Sequence, residues 1–529
     1  MKAERLFRVL GLIDPALAEE ALEVRRTCWK RWAALAACLT LVFGLGFGWL
    51  AAGGFDGYGG GMSGSSSNSG TDGSLPADPG ESGGSGGSGV EDGITFMSYA
   101  GPVFPLTTVE NATGLTAERE ITWDFAPGTY PDGTPRQWGA EVADVYVLTN
   151  ATDAEITVTG LYPFASGFRS LGVTHPAVTV DGEETETVLY AGAYSGGFQS
   201  TFGAAVPDTM NLDTLNSWEE YKALLEDGTY LAQALGEYPV LDIPVTVYEF
   251  SDFEALHEKY QAATQAVSFS VDESATRIFT YGFNGMGWDG SFRQYSYFVP
   301  DGVRNEPDLK VLVVLGEDIG GYTLQGYRDG GCDPGEEIDG VSCSVTRTET
   351  TLDAVLDRLC RYYQERYARD WGEQDNAFQV ISFEMYRGAV SELLSQYGVL
   401  SDAPVDRYSD GRLDDILAET VNHDRVLYLA FPVTVPAGES VRVDCTLWKE
   451  PSFDHACSGS EHVGLQGYDL VTRLGSGLEF TAQQAALVNT ESVELAGQNF
   501  GFDLENGITA VKLDLEQEHY YMELRIWDD

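Results

Sequence analysis

The chain has 529 residues, a hydrophobic fraction of 43% and a formal net charge of −51. This length allows about two to four domains, and the hydrophobic fraction is high enough for folded cores, so most of the chain is globular. The charge repels phosphate backbones and anionic surfaces, which excludes nucleic acid as a partner and is typical of an exported, soluble domain. Divalent cations and basic ligands are the partners that it would attract.

Residues 1–31 predict two short helices. Leu6, Phe7 and Leu10 give the first an apolar face, and Asp14 caps the second, with Pro15 in its first turn. The segment carries seven Lys or Arg and five acidic residues. It is either a topogenic tail or a surface for a cytoplasmic partner.

The 21 residues Trp32–Ala52 contain no charge. A helix of this length reaches about 31 Å, enough to cross a hydrocarbon core of ~30 Å. The next basic residue is Arg119, which predicts a cytoplasmic N-terminus, a single-pass anchor and an extracytoplasmic C-terminal part. Cleavage of a signal peptide after Ala52 is disfavoured by the long N-terminal segment. Lipidation at Cys38 is disfavoured because the apolar run continues beyond it.

Small residues recur every four positions within this run and lie on one helix face. They form either a close-packing surface for a homodimer through the membrane helix or a stripe that the composition of membrane helices alone produces. The small residues are Ala36, Thr40, Gly44, Gly48 and Ala52. In the following segment, 53–90, 24 of 38 residues are Gly or Ser, so we predict a flexible linker.

The N-terminal block also resembles a known group of proteins. The residues concerned are Leu12-Ile13-Asp14, Glu19-Glu20-Ala21, the basic cluster, Trp32-Ala33 and Ala36-Ala37-Cys38-Leu39. Over about the first 40 residues the chain resembles bacterial single-pass membrane proteins, some of which are anti-sigma-factor-like regulators. The resemblance implies that residues 1–31 contact a regulatory protein. The chain lacks the zinc-ligand His and Cys pattern of many anti-sigma domains.

Beyond residue 90 the sequence predicts an α+β, mostly β, fold with three units. These are a β-sandwich-like domain at 94–205, a mixed α+β domain at 206–414 and a β-rich domain at 415–529. Period-two alternation predicts strands at Val142–Leu148 and Glu155–Thr159, joined as an antiparallel pair.

Five helices are predicted in the two later units. Capping boxes predict two that begin at Ser217 and Ser251, and an apolar face predicts a longer one at Thr351–Tyr367. Another is expected at Glu384–Tyr397 and a short one near Ala482–Leu487.

Cysteine spacing suggests two local disulfides in an oxidising exterior, Cys332–Cys343 and Cys445–Cys457, with Cys360 as a buried free thiol. A metal site at Cys445, His455, Cys457 and His462 is disfavoured, because the spacing fits no zinc module.

The acidic loop around Asp329, Asp333, Glu336, Glu337 and Asp339 does not follow the EF-hand order. A solvated loop is therefore favoured over a calcium site. We predict no metal or other cofactor.

HExxH and a P-loop are missing from the sequence, and GxSxG occurs only within the Gly- and Ser-rich segment 53–90, so no nucleophile elbow is recognised. No catalytic residue is predicted. An aromatic group, Tyr281, Phe283, Trp288, Phe292 and Tyr295, lines a ligand groove or fills a sheet's core face. The sequence therefore favours an extracytoplasmic ligand-binding or sensory protein over a tethered hydrolase or a passive surface protein.

Overall fold

The structure, a computed structural model, describes residues 100–126, 128–129, 136, 139–193, 216–255, 262–300, 309–371, 377–402, 410–454 and 464–526. All of them belong to one compact unit, Asp92–Asp529. Strands outnumber helices, so the prediction of a mostly β fold is confirmed. The strands of the described residues form five sheets.

Sheet 1 is the largest and has seven strands. In spatial order they are Ala510–Lys512, Glu479–Val488, Leu115–Asp124, Ala140–Asn150, Ser440–Lys449, Ala177–Val180 and Glu183–Glu184. All neighbours are antiparallel except Leu115–Asp124 and Glu479–Val488, which run parallel.

Sheets 2 and 3 have four strands each. Sheet 2 consists of Thr107–Thr108, Ile156–Ser166, Arg425–Val435 and Val188–Ala191. Sheet 3 consists of Phe453–Asp454, Gln466–Val471, His519–Ile526 and Val493–Gln498.

Sheets 4 and 5 come from the middle of the chain and enclose a core of their own. Sheet 4 consists of Thr276–Tyr281, Lys310–Gly316, Pro244–Glu254 and Ser342–Thr351. Sheet 5 consists of Gly285–Asp289, Phe292–Phe298, Thr264–Ser270, Thr323–Tyr327 and Glu337–Ile338. In sheet 4, Leu312 and Val314 face sheet 5, whereas Val311 and Val313 belong to the main core.

Six α-helices cover these sheets in the described part of the chain. They are Leu171–Thr174, Asn216–Leu225, Thr229–Ala234, Leu352–Trp371, Phe383–Gln396 and Leu413–Asn422, with 3₁₀ turns at Phe168–Ser170 and Ala377–Gln379. The predicted helix at 351–367 is confirmed, because Leu352, Leu356 and Leu359 do line the main core. Ser382 caps the next helix by accepting a hydrogen bond from the Met385 N–H.

Three sequence-based expectations about local structure are wrong. Ser251 lies in the strand Pro244–Glu254, and Ala482–Leu487 lies in the strand Glu479–Val488. Pairing with a neighbouring strand overrides the local helix signal at both places. The strands near 142–148 and 155–159 do form, but they belong to sheets 1 and 2 and do not pair with each other.

Strands from the two predicted β domains, 94–205 and 415–529, share sheets 1 and 2. The strand Ile156–Ser166 pairs along its whole length with Arg425–Val435. The two segments therefore complete common sheets, with the residues of 206–414 inserted between them in the chain.

A buried ion pair lies within the main core. The Arg119 guanidinium donates from Nε and Nη2 to the two Asp144 oxygens at 2.8 and 2.7 Å, and neither side chain is exposed. Arg119 also donates to the carbonyls of Phe104 and Val471, and Tyr146 donates to Asp144. Every member of this network has a partner, which is what makes a buried charge tolerable.

The sequence-based description of the chain as a transmembrane sensor is not supported by the structure and needs correction. None of the helices among the described residues is long and apolar enough to cross a membrane. What the structure describes is a β-rich body. The predicted span Trp32–Ala52, its stripe of small residues and the linker lie outside the described residues.

Candidate functional site

A pocket of about 420 Å³ opens beside the core of sheet 2. This volume falls within the range that suits a small organic ligand. Its walls come from the end of the helix Asn216–Leu225, from the loop after sheet 3's strand Gln466–Val471 and from the segment before His519–Ile526. The lining residues are Lys222, Leu225, Glu226, Asp227, Gly228, Arg473, Leu474, Gly475, Ser476, Gly477 and Glu518.

The loop that forms one wall is fixed by hydrogen bonds. The Ser476 N–H donates to the Arg473 carbonyl at 3.0 Å, and Gly475 has a φ of +70°, as the third position of a type II turn requires. The Ser476 hydroxyl donates to the Leu106 carbonyl, and the Gly477 N–H donates to the Thr107 hydroxyl. This wall is therefore formed before any ligand binds.

The opposite wall is the link between two helices. Asp227 accepts a hydrogen bond at 2.8 Å from the N–H of Thr229, the first residue of the helix Thr229–Ala234. Hydrogen bonds from Thr229 also lower the pKa of Asp227. Lys222 and Glu226 are separated by one helical turn, so both face the pocket.

Charges of both signs surround the opening. The Lys222 ammonium lies 2.6 Å from the Glu518 carboxylate. Arg473 lies 3.9 Å from Glu516, and both of these side chains are exposed. An exposed pair at that distance contributes little stability, so the Arg473 guanidinium can exchange its contact for a ligand at small cost.

The floor of the pocket is apolar. Leu225 is buried in a core with Phe104, Tyr221 and Tyr230, and Leu474 packs against the same core. Charged rim and apolar floor together can hold a small molecule that has both an apolar part and charged groups.

A second group of charged residues lies where sheets 1, 2 and 3 approach one another. His519 Nε2 lies 2.9 Å from Asp469 Oδ2, with both side chains buried. Burial raises the pKa of Asp424 to about 6, with Glu450 adding to the effect, and burial lowers the pKa of Lys449. Shifted pKa values of this kind occur both at active sites and in structural ion networks.

No disulfide joins any two of the cysteines that the structure describes, Cys332, Cys343, Cys360 and Cys445. Cys332 interacts with Ser296 and Cys343 with Tyr297. These two partner residues are neighbours in one strand, so their side chains point to opposite faces of sheet 5, and the Cys332–Cys343 disulfide is not formed. Cys360 is buried, in line with its prediction.

The other predicted disulfide, Cys445–Cys457, stays a prediction because Cys457 lies outside the described residues, as do His455 and His462. Among the residues that the structure describes, no three His, Cys, Asp or Glu side chains are grouped so as to hold a metal ion.

In the acidic loop, three of the carboxylates form hydrogen bonds or an ion pair with other residues of the loop. Asp329 accepts from the Gly331 N–H, Glu337 accepts from the Gly335 N–H, and Glu336 pairs with Arg328.

The five aromatic residues that the sequence suggested as a ligand groove or a core face fall into a buried set and an exposed set. Tyr281, Phe283 and Tyr295 are buried, whereas Trp288 and Phe292 are exposed. Trp288 lies opposite Arg293, and Phe292 opposite Asp289, which places the two exposed rings on opposite faces of their hairpin. They therefore do not form one binding surface.

No residue of the pocket was predicted from the sequence. Lys222 and Glu518 are 296 residues apart in the chain, and neither carries a local motif. The Gly-rich turn after Arg473 is the one local signal, and turns of this composition are common in loops.

No protein-family model matches the chain, and no curated protein matches it significantly. The resemblance of the N-terminal block to anti-sigma-factor-like proteins stays a prediction.

Proposed function

We propose that the acidic, β-rich body is a ligand-binding module, and that the pocket beside sheet 2 takes a small zwitterion with an apolar side, such as an amino acid or a short peptide. The observation that carries the proposal is a preformed pocket of about 420 Å³ with both signs of charge at its rim. Lys222 and Arg473 would face a ligand carboxylate, and Glu226 and Glu518 would face an ammonium group.

The net charge of the chain supports this class of ligand. A simple anion is repelled at long range by a protein with a formal charge of −51. A simple cation meets Lys222 and Arg473 inside the pocket. A zwitterion has no net charge and satisfies both signs, and the floor of Leu225 and Leu474 removes its apolar part from water.

Calorimetric titration of the full chain tests the proposal with three probes: leucine, N-acetyl-leucine, which keeps only the carboxylate, and leucine methyl ester, which keeps only the ammonium. Leucine is expected to bind at least about tenfold more tightly than either derivative, because each derivative leaves one charged wall without a partner.

Two variants and one control locate the binding. Arg473→Gln and Glu518→Gln should each weaken leucine binding, and Arg328→Gln, an exposed arginine in the acidic loop, should not. Equal leucine binding by the three variants, or no heat of binding with any of the three probes, would overturn the proposal. A library of dipeptides extends the test to larger zwitterions.

A hydrolase is the second candidate. The observations that support it are the buried His519–Asp469 pair, 2.9 Å apart, and the raised pKa of Asp424. Turnover of a peptide or glycan substrate that is lost in Asp424→Asn would support it. The extracytoplasmic location and the contact of residues 1–31 with a regulatory protein stay predictions of the sequence.

A further inference from the structure

The strand Ser342–Thr351 forms an edge of sheet 4. It pairs with Pro244–Glu254 on one side, and no strand of the described residues pairs with its other side. Most of its side chains are exposed. An edge of this kind offers a row of backbone donors and acceptors to another strand.

The register shows which backbone groups are available. The Leu352 N–H donates to the Ile243 carbonyl at 2.8 Å, in the same register as the strand pairing. Hydrogen-bonded pairs alternate along an antiparallel ladder, so Thr348 bonds inward to Pro244–Glu254. The N–H and C=O groups of Arg347 and Glu349 therefore point to the free edge.

Opposite charges stand beside each other on this edge. Arg347 and Glu349 lie 3.0 Å apart, with exposed side-chain fractions of 44% and 74%. The strand contains neither Pro nor Lys, two residues that commonly block edges. The order of charges along the strand, Arg347 and then Glu349, therefore favours a partner strand that places an acidic residue opposite Arg347 and a basic residue opposite Glu349.

We propose that the complementary partner is a second copy of this chain, paired antiparallel about a twofold axis at Thr348. In this register Arg347 lies opposite Glu349 of the second copy, and Glu349 lies opposite its Arg347. Both are hydrogen-bonding positions at the free edge, so four backbone hydrogen bonds accompany the two ion pairs. Thr346 lies opposite Thr350 of the second copy.

The neighbouring registers are disfavoured by the same charges. A shift of the axis to position 347 places two arginines opposite each other, and a shift to position 349 places two glutamates opposite each other. Like charges directly opposite in a sheet are destabilising. The charge order of the strand thus specifies one register.

The net charge of each copy opposes association at long range. Salt of about 0.1 M reduces the range of that repulsion to about 10 Å, while the ion pairs at the strand edge are in direct contact. We expect the association constant to rise with salt up to this concentration.

Sedimentation velocity of the full chain with charge-reversal variants tests the proposal. Wild type should self-associate, and Arg347→Glu and Glu349→Arg should each lower the association constant by about tenfold or more, because each sets like charges opposite each other. An equimolar mixture of the two variants should associate again, because the glutamate introduced at position 347 of one variant then faces the arginine introduced at position 349 of the other. Arg347→Glu/Glu349→Arg in one chain should behave like wild type.

Asp318→Asn is the matched control. It removes the 2.8 Å ion pair that Arg347 makes within its own chain and leaves both edge charges, so association should persist. A monomeric wild type, single reversals that associate like wild type, or a mixture that stays monomeric would each overturn the proposal. Where a single reversal fails to fold, as judged by circular dichroism, the double reversal decides alone: failure to associate refutes the register.

Discussion

Glu392 is expected to make the stability of the protein fall as pH rises toward neutrality. The residue lies in the helix Phe383–Gln396 with 5% of its surface exposed, and its Oε2 atom has no hydrogen-bond partner among the described residues. Burial raises its pKa to about 7, against the opposing effect of the Arg425 guanidinium. A buried carboxyl with an unpartnered oxygen prefers the neutral form.

The magnitude follows from the two pKa values. A change from 4.5 in the unfolded chain to about 7 in the folded protein corresponds to about 3 kcal/mol, taken as an upper bound. Because the folded-state pKa is the higher one, this stability is fully present below about pH 4.5 and is lost as the pH rises through about 7. Glu392→Gln removes the titrating group, so the variant should be more stable than wild type by about 2 kcal/mol near pH 8, and no more stable near pH 4.5.

Urea unfolding of both proteins at several pH values between about 4.5 and 8 measures this difference. Glu384→Gln, an exposed carboxylate in the first turn of the same helix, serves as the control and should change stability by the same small amount throughout. The reasoning is refuted if the stability difference between Glu392→Gln and wild type is constant over this range.

Two further predictions concern other buried groups. Arg119→Met leaves the Asp144 carboxylate buried without its partner, so the free energy of unfolding in urea should fall by about 3–5 kcal/mol. Arg119→Met/Asp144→Leu removes both charges and should recover most of that loss. An equal loss of stability in both variants would contradict this account of the core. Iodoacetamide should label Cys332 and Cys343 slowly in the native protein, because burial raises the pKa of both thiols, and should label Cys360 only after unfolding. Recovery of a linked Cys332–Cys343 peptide by mass spectrometry would contradict the arrangement of sheet 5.

The sequence by itself determined most of the elements. Alternation of apolar residues was sufficient for the strand Ala140–Asn150, because a strand that buries one face must repeat every two residues. A nearly continuous apolar run indicated the strand Arg425–Val435, which is buried on both faces over most of its length. A continuous apolar face was sufficient for the helix Leu352–Trp371. These signals are local, so no knowledge of the partner element is needed.

Only the tertiary structure decided which strands pair. Thr157 and Thr434 are 277 residues apart and share a hydrogen bond across sheet 2, while the strand nearest in sequence to Ile156–Ser166 lies in sheet 1. Alternation tells which face of a strand is buried, but it carries no information on the neighbour that completes the sheet. The apparent helix at Ala482–Leu487 became a strand for this reason.

The pocket and the free edge were likewise decided by tertiary structure. The pocket brings together Lys222, Arg473 and Glu518, which come from distant parts of the chain. They line one site only because two helices and two loops meet beside sheet 2. Arg347 and Glu349 lie on an open strand edge only because, among the described residues, the sheet places no strand beside them. Local composition fixes secondary structure through short-range sterics and periodicity, whereas a binding surface depends on distant segments whose approach is set by the packing of the whole core.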